Sequence, residues 1–142
     1  MGTFVETFRG VVYPWHCDIM GHMNVKNYVG MFDEGSYHLL HAAGFVWEAE
    51  EDRTAGFADV KHELNYKAEQ RAGSLIVIQG AVRRVGTSSA VLYQEMKNAE
   101  TGVVAATWEA TTVYFDLRAR KARALPEVLR EGLTRLLMPD GD

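Results

Sequence analysis

Apolar and polar positions change period twice along this chain. Residues 4–13, FVETFRGVVY, alternate loosely and are rich in β-branched and aromatic side chains, which predicts a strand that Pro14 ends because it has no N–H to donate. From Asn24 the spacing lengthens: Tyr28, Phe32, Gly35, Leu39 and Ala42 recur at i, i+4, i+7, i+11 and i+14, one face of a helix. Asn24 suits its N-cap and Gly44 the position just past its end. Gly30 and Gly35 each cost up to ~1 kcal/mol relative to alanine inside a helix, so both predict another backbone, that of a sheet, close on their side. The acidic stretch VWEAEEDRTAGF reads as a solvated helical end and loop. Alternation then returns at 57–67, with Val60, His62, Leu64 and Tyr66 on one side, and at 74–85, 89–99 and 102–117, three consecutive antiparallel strands. LPEVLREGLTRLLM closes the pattern as a short amphipathic helix with Pro126 near its first turn and Val128, Leu129, Leu133, Leu136 and Leu137 apolar.

One strand, one long helix and four further strands ask for an α+β fold, an antiparallel sheet covering the helix, in a single domain over residues 1–142. A curved sheet around one helix leaves edge strands open, so a homodimer, or a homotetramer built from it, is expected. With 47% hydrophobic and 24% charged residues the composition is that of an ordinary globular protein. Fifteen Lys and Arg against 19 Asp and Glu leave a net charge of −4, so no general attraction to nucleic acid or anionic membranes is expected. An anionic ligand must be met by a local cluster. The lone Cys17 excludes an internal disulfide and multi-cysteine zinc frameworks, which suits a reducing cytoplasm. MGTFVETFRG lacks the positive and apolar regions of a leader, and no run approaches the ~18 apolar residues of a membrane span, so the chain reads as soluble.

The chemistry concentrates in CDIMGHMNVKNY, residues 17–28, between the first strand and the helix. Taken alone, Asp18 reads as a turn former and Asn24 as a cap, because both residue types bond local backbone. The free N–H groups and positive dipole end of a first helical turn nevertheless welcome negative charge. An Asp six residues ahead of that end could attack a carbonyl, or activate water, while the helix start receives the developing oxyanion. His22 could hold Asp18, the substrate or the turn itself.

YPWHCDIMGHMNVKNYVGMFDEGSYHLL resembles the opening of the hotdog-fold acyl-CoA thioesterases, the 4-hydroxybenzoyl-CoA thioesterase-like group in particular. LNYKAEQRAGSLIVI, VRRVGTSSAVLYQEM, TGVVAATWEATTVYFD and ARALP resemble that family's later segments, so the likeness covers residues 4–130. It implies a hotdog fold, a curved antiparallel sheet wrapped around one long central helix, and hydrolysis of an acyl-CoA to free acid and CoA. Asp18 stands where the family has its catalytic carboxylate, as nucleophile or general base. Gly21 stands at its turn glycine, Val25 at the backbone N–H that meets the thioester carbonyl, and Tyr28 at its helix tyrosine. Asp18 and His22 also match a pair in acyl-carrier-protein thioesterases, but the catalytic asparagine between them is Met20 here. Besides that alternative, a hotdog hydratase or dehydratase and a non-catalytic acyl-CoA-binding protein share the pattern. No cofactor beyond the substrate's own CoA and no metal is implied; Glu34, His38 and His41 read as a polar stripe, and Glu34 as a shaper of the acyl pocket. CoA carries phosphates that guanidinium forks suit, which makes Arg83, Arg84, Arg118 and Arg120, with Ser88, the expected substrate-binding cluster.

Overall fold

Alternation and helical spacing resolve into one sheet and one long helix in a computed structural model that describes residues 3–139; residues 1–2 and 140–142 of the expected domain lie outside the described residues. In chain order the elements are β1 (Val5–Val11), α1 (Val25–Ala42), β2 (Ala55–Tyr66), β3 (Leu75–Val85), β4 (Ser89–Asn98), β5 (Val104–Asp116), β6 (Lys121–Ala122) and α2 (Glu127–Arg135). The strands run in the order β1-β3-β4-β5-β2, every pair antiparallel, with β6 beside the end of β5. This curved sheet against one long helix is the hotdog arrangement. β6 is too short to carry a period, and the acidic segment before β2 forms a loop with a single 3-10 turn at Glu50–Asp52.

α1 begins where Asn24 Oδ1 accepts the Lys26 N–H at 3.0 Å and stops before Gly44, whose φ of +104° few other residues adopt. Its buried face is Tyr28, Met31, Phe32, Gly35, Ser36, Leu39 and Leu40. Ala42, expected on that face, is exposed, and Ala43 is buried in its place. The close approach predicted at Gly35 comes from a side chain: a Cβ there would collide with the Gln94 amide. Gln94 is fully buried and satisfied, accepting from Thr7 Oγ1 and donating to the Phe32 carbonyl and Ser36 Oγ. Gly30 departs from expectation, because open space surrounds the position its Cβ would take.

β2 is a sheet edge with a bulge, since Asp59 pairs with Thr112 and Lys61 with the adjacent Thr111, leaving Val60 extra. The row expected as Val60, His62, Leu64 and Tyr66 is therefore Phe57, Asp59, His62, Leu64 and Tyr66, facing the helix, while Val60 is 65% exposed. At the other end of α1 the short α2 docks through Leu129, Leu133 and Gly132, where any Cβ would overlap the Ala43 carbonyl. Val128, predicted among its apolar contacts, is exposed, and Leu136 and Leu137 leave the helix through a turn, where the chain bonds Val82 of β3. Among the described residues no helix is long and apolar enough to cross a membrane.

Candidate active site

The stretch between β1 and α1 folds into a tight hairpin closed by a bridge between Cys17 and Met23. The Asp18 N–H donates to the His22 carbonyl at 3.1 Å, and the Gly21 N–H returns to the Asp18 carbonyl at 3.0 Å. That reversal puts Gly21 at φ +87°, the conformation for which glycine is suited. Asp18 Oδ1 accepts the Met20 N–H at 2.8 Å, and Oδ2 accepts Asn24 Nδ2 at 3.2 Å. Because Asn24 Oδ1 caps the helix at the same time, one amide ties the carboxylate to the end of α1. Met23 N–H to Gln70 O at 2.7 Å and Asn27 Nδ2 to His16 O at 2.8 Å fix the hairpin to its neighbours.

A cavity of about 380 Å³ opens beside this hairpin, lined by Asp18, Met20, His22, Val25 and Tyr28 on one side and Tyr66, Lys67 and Glu69 on the other. The structure thus brings together Asp18, His22, Val25 and Tyr28, with Asn24 bonded behind them. The Val25 N–H stands at the first helical position, ahead of any intrahelical acceptor, while Asn24 takes the N–H groups of Lys26 and Asn27. Val25 therefore combines a place on the cavity wall with an N–H that the helix itself leaves unpaired. Tyr28 is 4% exposed and packs edge-on against Tyr66 at 5.1 Å. Burial, and then the charges of Tyr66 and Glu69, raise the Tyr28 phenol above its ordinary value, keeping it a neutral donor at physiological pH. His22 Nε2 lies 3.3 Å from Glu69 Oε1, so the ring braces the hairpin against the segment after β2. Sequence reasoning missed Tyr66, Lys67 and Glu69 as lining residues, whose signal was the end of the β2 row running into a polar turn, and did not assign Met20 to the lining although it lies within the 17–28 stretch.

The remaining candidates lie elsewhere. Glu34 borders a separate groove with Tyr13, His16 and Asn27 between β1 and α1, away from the Asp18 cavity. None of Arg83, Arg84, Ser88, Arg118 and Arg120 lines the Asp18 cavity: they lie near the end of β3, in the β3–β4 turn and in the β5–β6 turn, which adjoins the Ala55 end of β2, roughly 36 Å along that strand from Tyr66. Arg83 is already engaged: its Nε is 2.6 Å from Glu109 Oε2 and its guanidinium lies over Tyr93 at 4.8 Å. The Tyr93 phenol is pushed up by burial and by its hydrogen bond to Glu95. Arg84 is exposed, and the Ser88 carbonyl is taken by the Tyr114 N–H at 2.7 Å. Arg118 and Arg120 sit exposed on the β5–β6 turn, which Asp116 Oδ1 builds by accepting the N–H groups of Arg118 and Ala119. Among the described residues no three His, Cys, Asp or Glu side chains converge in a way that would hold a metal.

Comparison with known proteins bears on the family and the fold. The family model described as the thioesterase-like superfamily matches residues 12–133. The long-chain acyl-CoA thioesterase FadM of Escherichia coli is 27% identical over 127 residues, spanning 89% of this chain and 95% of FadM. Among solved structures, the SAV2348 protein of Staphylococcus aureus, determined in complex with CoA, superposes with a TM-score of 0.84 at 16% identity, covering 93% of this chain and 84% of that one. Slr0204, a 1,4-dihydroxy-2-naphthoyl-CoA thioesterase from Synechocystis, gives a TM-score of 0.81 at 16% identity over 96% and 99% of the two chains. These two likenesses show the fold.

Proposed function

This chain belongs to the thioesterase-like superfamily, and from that premise we propose that it is an acyl-CoA thioesterase whose reaction is run by the hairpin at the start of α1. The observation that carries the reading is that Asp18 and Val25 line one cavity, with Asn24 bonded to the Asp18 carboxylate and capping the helix that Val25 begins. The thioester carbonyl points its oxygen at the Val25 N–H and the positive end of α1, where the oxyanion is stabilised as it forms. An oxygen then adds to the carbonyl carbon, either from Asp18 itself through a mixed anhydride that water opens, or from a water that Asp18 deprotonates. The carbon–sulfur bond breaks, the CoA thiolate takes a proton, and the free acid leaves. Asn24 and His22 act through position, the first by orienting Asp18, the second by holding the cavity wall at Glu69.

A second copy of the chain completes the site in this reading. β2 is an open edge whose residues from Asp59 to Glu63 are exposed, an arrangement that pairs readily with another strand. Antiparallel self-pairing about a two-fold near Val60 and Lys61 sets Tyr66 of one copy opposite Ala55 of the other. Because Ala55 pairs with Asp116, the β5–β6 turn of the second copy then approaches the Asp18 cavity. Arg118 and Arg120, far from Asp18 within one chain, become the guanidinium groups that meet the CoA phosphates, and Arg83 remains structural. FadM's name as an acyl-CoA thioesterase and the CoA bound to SAV2348 support this substrate class. Incubation with a panel of acyl-CoA esters is expected to release free thiol and acid. Double-bond formation or hydration without thiol release would favour a dehydratase, and binding with the ester left intact would favour a carrier role.

A further inference from the structure

A second concave site lies between α1 and β2, a cavity of about 270 Å³ lined by Asp33, Ser36, Tyr37, Trp47, Phe57, Asp59 and His62. The bulge at Val60 builds it. In a regular strand residues three apart point to opposite faces, but the extra residue turns Asp59 and His62 to the same helix-facing side. There His62 Nε2 lies 2.7 Å from Asp59 Oδ2, and its ring packs over Trp108 at 4.2 Å. Ala110, the cross-strand partner of His62, is small enough to leave the ring that room. Within one chain the His62 and Asp59 side chains are 37% and 28% exposed, and in the dimer proposed above Asp59 of one copy stands opposite His62 of the other, so the site borders that seam. Flanking it on the same face of β5, Trp108 Nε1 and Thr112 Oγ1 are buried and, among the described residues, find no hydrogen-bond partner in the protein. A buried polar group without a partner is rare enough to call for an explanation.

We propose that this polar pocket receives the far end of the acyl chain and selects acyl groups that carry a hydroxyl there, a reading that rests on the acyl-CoA assignment above. A hydroxyl both donates and accepts, matching a carboxylate that only accepts and an imidazole whose Nδ1 is not the atom paired to Asp59. A carboxylate-tipped chain meets Asp33 and Asp59 and is repelled. Trp47, Tyr37 and Phe57 supply the apolar walls for the chain itself. From Tyr28 to Ser36 along the helix is about 12 Å, and from Tyr66 to His62 along the strand about 13 Å, roughly the length of a ten-carbon chain. The hydroxyl is therefore placed near the tenth carbon from the thioester.

Two thioether analogues that cannot be hydrolysed, S-(10-hydroxydecyl)-CoA and S-decyl-CoA, separate this proposal from the catalytic one, because calorimetric binding does not depend on Asp18 chemistry. The hydroxylated analogue is expected to bind the wild-type protein at least about tenfold more tightly. His62→Leu and Asp59→Asn, made separately and checked for an unchanged melting temperature, are each expected to lower that ratio several-fold, with His62→Leu bringing it to one or below. Equal binding of the two analogues by the wild type, a ratio unmoved by both variants, or tighter binding of a 10-aminodecyl analogue would overturn the proposal. Failure of the catalytic reading would show instead as absent thiol release from cleavable esters.

Discussion

Asn24 serves the fold and the site with one amide, its oxygen capping α1 and its nitrogen holding Asp18. Asn24→Asp keeps the cap, since Asp and Asn are equally good there, but replaces the donor with a second carboxylate facing Asp18. The melting temperature is expected to stay within a few degrees while thiol release falls at least tenfold; equal activity would remove Asn24 from the site. The glycines of α1 show where residue-level reading of sequence stops. Gly30 and Gly35 give the same signal in the chain, yet only Gly35 faces the buried Gln94, a contact set by β4 and invisible to local periodicity. Gly35→Ala is therefore expected to destabilise by about 1–3 kcal/mol through overpacking. Gly30→Ala, with free space around its Cβ, is expected to stabilise by about 0.4–1 kcal/mol. Chemical denaturation of the two variants checks both signs.

At the scale of elements, the long helix and the four long strands were legible because each has a sustained period and clear punctuation. Three features were not. The β2 bulge shifts the row by one residue without any breaker in the sequence, β6 has only two residues, and α2 ends before its last two leucines because the chain there turns to bond Val82. The turn that carries Arg118 and Arg120 has its own titration. Backbone N–H groups of Ala119 and Arg118 hold the Asp116 carboxyl below its ordinary value, and Thr54 does the same to Glu48 beside it in the fold. Depressed carboxylates add stability above their unfolded values, which is lost as pH falls through the folded ones, here below about pH 4. The melting temperature is expected to drop as pH falls from 5 to 3, and Asp116→Asn, which has no charge to neutralise, is expected to drop less steeply. Parallel curves for the two proteins would show that the turn does not contribute to acid stability.

In the whole molecule, the hotdog architecture was readable from the chain, but that Asp18 and the Arg118–Arg120 turn stand at opposite ends of β2 was not. Asp18 and the Arg118–Arg120 turn lie far apart within one chain, and in the proposed dimer it is the second copy that brings such ends together. The consequence is complementation. An Asp18→Asn chain and an Arg118→Ala/Arg120→Ala chain, each poor alone, are expected to regain activity when mixed and allowed to exchange subunits, because one site of the mixed dimer has both parts intact. A mixture no more active than its components would place the phosphate contacts on the same chain as Asp18. The central claim is narrower, that Asp18 performs the chemistry on a thioester. Its most direct test is the rate of thiol release from acyl-CoA by wild-type and Asp18→Asn proteins of matched melting temperature. The account predicts a loss of at least about a hundredfold, the scale of general-base or nucleophilic work; turnover within a few-fold of wild type would contradict it.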